Sequence, residues 1–247
     1  MAAPWIEGKV TELKNWGSDL YSLSVDADIA PFEAGQFVKI GLPVNNEIVG
    51  RAYSLVNAPD EKPLEFYFIK VDNGPLTLQL VNLNPGDTIY VAPRPSGFLV
   101  LSEVPEAKNL WLIATGTGIG PFLSILKTPT PWQRFEKIIL VQAVRTQAEL
   151  TYQEAIQALL SKHGAQLTYV PFISRERTSY AMEGRITNAI ADGRLESKTG
   201  IAINSDSQLM LCGNPDMVRD TIDILSARGL KKHRRRDPGN ITVEAYW

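Results

Sequence analysis

Apolar and polar positions change rhythm near residue 105, and the change divides the chain in two. Upstream, the segments Lys9–Leu13, Tyr21–Val25, Gln36–Ile40, Leu64–Ile69 and Thr88–Val91 carry partial two-residue alternation. That period sends successive side chains to opposite faces of a strand. Turn residues at Asp72-Asn73-Gly74-Pro75 and Pro85-Gly86-Asp87 punctuate the run. About six short strands without a helical period predict an antiparallel Greek-key barrel over residues 1–101.

Downstream, over residues 102–247, the pattern alternates between continuous apolar runs and helical spacing. Leu110–Ala114, Lys137–Val141, Leu167–Ser174, Gln208–Cys212 and Ile241–Val243 read as buried parallel strands. A helix is expected at Pro121–Lys127. A second has Tyr152, Ala155, Ile156, Leu159 and Leu160 on one face, Thr151 and Glu154 as a capping pair, and Gly164 at its end. A third is capped by Asn214, carries Pro215 in its first turn and stops at Gly229. The alternation predicts a five-stranded, doubly wound α/β domain, so the fold class is β plus α/β in two domains.

Composition narrows the chemistry. The 247 residues are 44% hydrophobic, enough for two cores, and the net charge of −2 carries no global bias toward nucleic acid or membrane. No apolar run approaches the ~20 residues of a membrane span. Met1-Ala2-Ala3-Pro4-Trp5 lacks a basic region followed by an apolar stretch, so a soluble cytoplasmic protein is expected. The single cysteine, Cys212, excludes an intrachain disulfide and a cysteine-ligated iron–sulfur cluster. His163 and His233 lack metal-ligand spacing, and no metal is expected. Arg228 to Arg236 holds six cations and no acid, leaving 19 basic against 27 acidic residues elsewhere. Such a run suits an acidic protein partner or nucleic acid, and a solvated loop would look the same.

Two motifs offer binding chemistry. Arg51-Ala52-Tyr53-Ser54 supplies a guanidinium, an aromatic face and a hydroxyl within four residues. In Ala114-Thr115-Gly116-Thr117-Gly118-Ile119-Gly120-Pro121 the glycines bare backbone amides at a strand–helix turn, where the helix dipole favours a phosphate. The spacing is neither the dehydrogenase G-x-G-x-x-G nor a Walker loop, and a purely structural turn uses the same glycines.

With Gly74-Pro75-Leu76-Thr77, Cys212-Gly213-Asn214-Pro215 and an aromatic terminus, these motifs occur in the order found in one family. Along essentially its whole length the chain resembles the ferredoxin–NADP+ reductases, most closely the bacterial subclass that also serves flavodoxin. The resemblance implies an FAD-binding barrel, an NADP-binding α/β domain, hydride exchange between NADPH and FAD, and one-electron exchange with ferredoxin or flavodoxin.

The resemblance also implies roles for individual residues. Arg51 would hold the FAD pyrophosphate, Tyr53 would lie against the isoalloxazine, and Ser54 would sit near flavin N5, with Ala52 between them. Tyr67, Phe68 and Ile69 would border the flavin. Gly74, Pro75, Leu76 and Thr77 would hold the diphosphate, Thr replacing the commoner Ser. Gly116, Thr117 and Gly118 would take the NADP pyrophosphate, with Thr117 touching both cofactors. Arg145, Ser174, Arg175 and Arg185 would take the 2′-phosphate or the adenosine half, where guanidinium groups suit a dianion. Cys212, Gly213 and Asn214 would position nicotinamide. Glu244 and Tyr246 reproduce the terminal spacing of plant-type members. Trp247 extends beyond it, and in the subclass such an extension reaches the FAD adenine and implies slower turnover. Ser54, Cys212, Glu244 and Tyr246 are the catalytic candidates.

A monomer is implied, as is an acidic redox partner docking near Arg228–Arg236. Three readings compete, the first two being a flavin or ferric reductase on the same fold and a non-catalytic flavin-binding module. A nucleic-acid binder using Arg234–Arg236 is the third.

Overall fold

The computed structural model describes residues 5–45 and 47–246. The chain forms two compact units. The first comprises residues up to Val100 together with Gly120–Thr128, and the second comprises Leu101–Ile119 and Pro129 onward.

In the first unit, β1 (Ile6–Gly17), β2 (Leu20–Asp26), β3 (Phe37–Val44), β4 (Glu47–Ser54) and β5 (Leu64–Ile69) are followed by the one-turn helix α1 (Thr77–Leu80) and by β6 (Thr88–Val91). The order is β4-β3-β6-β1-β2-β5, every pair antiparallel. Closure comes just past β4. Leu55 bridges Phe66 of β5, the Leu55 amide donates to Gln36 O at 3.0 Å, and the Val56 amide donates to Glu65 O at 2.9 Å. The sheet's two edges thereby meet in a barrel. Its interior holds Val10, Leu23, Ile40, Phe66, Leu80 and Ile89. β4 was not expected as a strand, because Glu47–Ser54 alternates poorly: most of it stays accessible and only Ser54 is buried.

The second unit starts with β7 (Asn109–Thr115). The chain then enters α2 (Ile119–Leu126), whose residues from Gly120 belong to the first unit, where Ser124 Oγ donates to Asn57 O at 2.7 Å and Lys127 pairs with Glu61 at 3.1 Å. It returns through α3 (Thr130–Arg134), β8 (Lys137–Val144), α4 (Gln153–His163), β9 (Leu167–Ile173), the two-residue β10 (Met182–Glu183), α5 (Ile186–Ala191), α6 (Arg194–Thr199), β11 (Ser207–Gly213), α7 (Pro215–Ala227) and β12 (Ile241–Ala245).

The sheet order is β10-β9-β8-β7-β11-β12, all parallel. The five long strands are those expected, and β10 adds a short edge. The apolar runs of β7, β8 and β11 are covered on both faces: Trp111, Ile139 and Leu209 on one face and Leu112, Leu140 and Met210 on the other are all below 1% exposed. Each such side chain contributes about 1.5–3 kcal/mol by leaving water. Arg134 ties the entry to this unit, donating to Leu101 O at 2.6 Å and Val104 O at 2.8 Å. Among the described residues no helix is long and apolar enough to cross a membrane.

One local expectation fails. Thr151 is not the N-cap of α4. The N-cap of α4 is Tyr152, in the left-handed region at φ 58° and without a side-chain cap bond. The Thr151 carbonyl is drawn instead into a polar cluster, accepting from Gln153 Nε2 at 3.3 Å and from Gln142 Nε2 at 3.5 Å. Gln142 is fully buried in β8, and the Tyr169 hydroxyl donates to its Oε1 at 2.7 Å while accepting from Gln153 at 2.9 Å. A buried amide must find partners, and this cluster supplies them.

Burial pushes the Tyr169 phenol up to about 12 from its ordinary 10.0. A pKa raised on folding means the folded state holds the proton more tightly. Stability present below about pH 10 is therefore lost as pH climbs toward about 12, on the order of 2 kcal/mol. Tyr169→Phe is expected to abolish that part of the alkaline loss and to cost about 1–2 kcal/mol at neutral pH through the lost Gln142 hydrogen bond. Urea unfolding of both proteins between pH 7 and 11.5 checks both signs.

Candidate functional site

The parallel sheet runs outward in two directions from its centre: β7 leads to β8 and β9 on one side, while β11 and β12 lie on the other. The reversal falls between β7 and β11, and α/β folds bind ligands outside the carboxyl ends of strands at such a reversal. The glycine loop leaves β7 and the Cys212-Gly213-Asn214 turn leaves β11, so the topology brings these two motifs together.

Their contact is close. A Cβ on Gly118 would lie 2.4 Å from Cys212 O. A Cβ on Gly213 would lie 2.2 Å from Thr115 Oγ1, and Gly213 adopts φ +127°, which side chains rarely tolerate. Between them, Thr115 Oγ1 accepts from the Asn214 amide at 2.8 Å. Asn214 Oδ1 in turn caps α7, accepting from the Asp216 and Met217 amides at 2.8 and 3.2 Å, as expected for an Asn-Pro helix start. Gly116 takes φ +53° in the 3-10 turn Gly116–Gly118, with Thr117 buried within it.

Cys212 is fully buried. Burial pushes its thiol well above the ordinary range, the Glu244 carboxylate pushes the same way, and a hydrogen bond with the Tyr246 side chain opposes them. The thiol stays protonated at neutral pH, which suits a spacer and not a nucleophile. Cys212 and Glu244 are register partners in β11 and β12, and the Tyr246 amide donates to Gly213 O at 2.9 Å. Cys212, Glu244 and Tyr246 thus form one cluster. Trp247 lies outside the described residues.

The arginines gather at the ends of β8 and β9. The Arg175 amide donates to Arg145 O at 2.8 Å, and both side chains are exposed. Ser174 and Arg175 line a cavity of about 510 Å³ with Ile173, Gly184, Arg177 and Arg194. Arg185 is exposed at the N-cap of α5 and does not line it. Arg177, Arg194 and the buried Glu149 behind Arg145 were not anticipated. Glu149 alone had a legible signal, four residues after an arginine.

In the first unit, Arg51-Ala52-Tyr53-Ser54 ends the edge strand β4. The Arg51 guanidinium is exposed, with one internal bond, Nη1 to Gly50 O at 2.9 Å. The Tyr53 ring meets Phe68 edge-on at 5.9 Å, and burial pushes its phenol up to about 12 despite the nearby Arg51 charge. Phe68 belongs to the barrel core and stacks on Tyr21, Tyr67 is buried, and Ile69 is half-buried. In Gly74–Thr77, Leu76 is core and Pro75 exposed, while the Thr77 hydroxyl accepts from the Val71 amide at 3.0 Å, closing the loop on itself.

The basic run is less free than its sequence suggests. Arg228 pairs with Glu196 at 2.6 Å, Lys231 with Asp237, and Arg235 with Glu103. Lys232, Arg234 and Arg236 are exposed and have no ion pair among the described residues.

Residues 112–223 match a family described as oxidoreductase NAD-binding domain, which defines the class of the second unit. The flavodoxin/ferredoxin–NADP reductase of Escherichia coli (strain K12) is 46% identical over 247 aligned positions, covering 99% of this chain and 100% of that one. The protein of the same name from Buchnera aphidicola subsp. Baizongia pistaciae is 46% identical, covering 98% and 99%. A ferredoxin NADP+ reductase from Neisseria gonorrhoeae, crystallised with bound FAD and NADP, superposes at a TM-score of 0.93 with 31% identity and complete coverage of both chains. The chain belongs to the flavodoxin/ferredoxin–NADP reductase family.

Gly213→Ala forces a methyl group onto Thr115 and a strained φ onto alanine. A loss of about 2–4 kcal/mol is expected, measured by chemical denaturation against the wild type.

Proposed function

We propose that this protein is an FAD-dependent flavodoxin/ferredoxin–NADP+ reductase, with FAD held by residues 1–101 and NADP(H) by residues 102–247. The single observation that carries the reading is the glycine loop and the Cys212–Asn214 turn meeting at the reversal of a parallel sheet, in a chain 46% identical to such reductases throughout. Bound FAD supplies the redox chemistry, accepting a hydride from NADPH and passing electrons on singly.

The chain's own residues bind and orient. Arg51 fits a pyrophosphate, because its guanidinium is exposed and, among the described residues, makes one hydrogen bond, to Gly50 O. Tyr53 offers a neutral phenol and an aromatic edge at any physiological pH. Ser54 supplies a buried hydroxyl near flavin N5. Ala52, Tyr67, Phe68 and Ile69 border the flavin through their backbone, with the Tyr67 and Phe68 rings turned into the first unit as support, and Gly74–Thr77 offer the amides of a loop that Thr77 closes. Gly116, Thr117 and Gly118 expose backbone to the NADP pyrophosphate. Arg145, Arg175 and Arg185 supply positive charge, and Ser174 a hydroxyl, for its adenosine half. Gly213 and Asn214 shape the nicotinamide pocket, with the protonated Cys212 filling its floor. Glu244, Tyr246 and Trp247 act at the nicotinamide and adenine ends. The protein works as a cytoplasmic monomer.

Anaerobic titration of the yellow protein with NADPH and with NADH tests this. Bleaching at a concentration of NADPH at least about tenfold below that of NADH is expected, since convergent guanidinium groups reward the 2′-phosphate by more than 1.4 kcal/mol. A colourless protein that takes up no FAD, or a yellow one indifferent to both nucleotides, overturns the reading.

The partner is an acidic flavodoxin or ferredoxin steered by Lys232, Arg234 and Arg236, the cations of the run that form no ion pair among the described residues. Reversing all three to Glu is expected to raise the KM for flavodoxin about tenfold at low salt, with the difference shrinking as ionic strength rises. Reduction of ferricyanide by NADPH in the same protein serves as the control.

A further inference from the structure

Arg145 is held from three sides, and a carboxylate does most of the holding. Glu149 closes the 3-10 turn Gln147–Glu149 just after β8 and is 7% exposed. Its Oε2 accepts from the Arg145 backbone amide at 2.9 Å and its Oε1 from Arg145 Nε at 2.9 Å. The carboxylate therefore fixes both the main chain and the side-chain root of one residue. From the other side, Arg145 O accepts from the Arg175 amide at 2.8 Å, so the two arginines share one backbone frame. The turn is anchored as well, since the Gln147 amide donates to Glu176 Oε2 at 2.6 Å.

A buried acid beside a phosphate-binding arginine looks self-defeating, because it cancels charge that an anion would otherwise feel. Its geometry resolves the conflict. An exposed arginine loses considerable rotamer freedom on binding a ligand. Glu149 consumes only Nε, and the remaining guanidinium N–H groups of Arg145 make no hydrogen bond among the described residues. The two-nitrogen edge that suits a phosphate stays available, and the side chain is ordered before any ligand arrives.

We propose that Glu149 is a positioning residue for nucleotide selectivity: it presents Arg145 to the 2′-phosphate of NADP(H), and so helps set the preference for NADPH over NADH. This rests on the reading of the second unit as an NADP(H) site. Glu149 acts only through Arg145 and touches no substrate.

The test uses the FAD-loaded protein and compares kcat/KM for NADPH and NADH with ferricyanide as acceptor. Wild type comes first: equal values for the two nucleotides would defeat the NADP(H) reading itself, independently of Glu149. Given a wild-type preference, Glu149→Gln is expected to lower the NADPH/NADH ratio about tenfold, chiefly through the KM for NADPH, and Glu149→Asp, which keeps the charge, to retain most of it. A merely structural role would move both nucleotides together, and an unchanged ratio in folded Glu149→Gln overturns the proposal. Should Glu149→Gln not fold, Arg145→Gln and the double variant Arg145→Gln/Glu149→Gln decide, since the double variant leaves no buried charge unpaired. Equal ratios in those two support the proposal, and a further fall in the double variant overturns it.

Discussion

The architecture of the second unit turns on the contact between the ends of β7 and β11. These strands are neighbours at the centre of the parallel sheet, and the chain must leave both at the same edge. Each exit needs room for a loop, and the room is made by omitting side chains. Gly118 lies against the Cys212 carbonyl, and Gly213 lies against Thr115. Neither position admits a Cβ without moving backbone. The Thr115 hydroxyl then uses the proximity, taking the Asn214 amide at the point where α7 begins. One side chain thereby couples the glycine loop, the β11 exit and a helix cap.

From that contact the rest of the site follows by register. Because β12 pairs with β11 in parallel, Glu244 falls beside Cys212 and Tyr246 reaches Gly213. Because β8 and β9 lie on the opposite flank of β7, their exits carry the arginines to the same edge of the sheet. Residues far apart in sequence meet at one sheet edge because parallel strands all end on the same side. The buried thiol fits this frame as a filler: desolvation and the Glu244 charge both hold it protonated, and a protonated thiol is a small apolar group.

Much of this was legible in the sequence. The strands of the parallel sheet announced themselves as unbroken apolar runs, because burial on both faces leaves no polar alternation to interpret. The Asn214-Pro215 helix start was legible because capping is local chemistry. The glycine loop was legible as a turn, but its partner was not, since nothing in Thr115 itself says that Asn214 will be 2.8 Å away. β4 was missed because an edge strand with mostly accessible positions has no apolar face to betray it. The cap of α4 was expected at Thr151 on local grounds, but the structure puts it one residue on, at a left-handed Tyr152 that no local capping rule favours. Short helices such as α5 and α6, at six residues each, carry too few turns for a period to show.

Charge was the least legible property, because a formal count ignores what each cation is already bound to. The run from Arg228 to Arg236 reads as a single patch, yet Arg228, Lys231 and Arg235 each meet a carboxylate from elsewhere in the second unit or from the run's own flank. These pairs spend part of the field on holding the segment between α7 and β12 in place. Arg145 is also paired, but differently: Glu149 takes Nε and the backbone amide and leaves the outer guanidinium edge open. An ion pair can thus either retire a cation from recognition or aim it, and the distinction lies in which nitrogen the carboxylate occupies. Nitrogen-level geometry of that kind separates the arginines whose charge is taken up in holding the fold from Arg145, whose outer edge stays open.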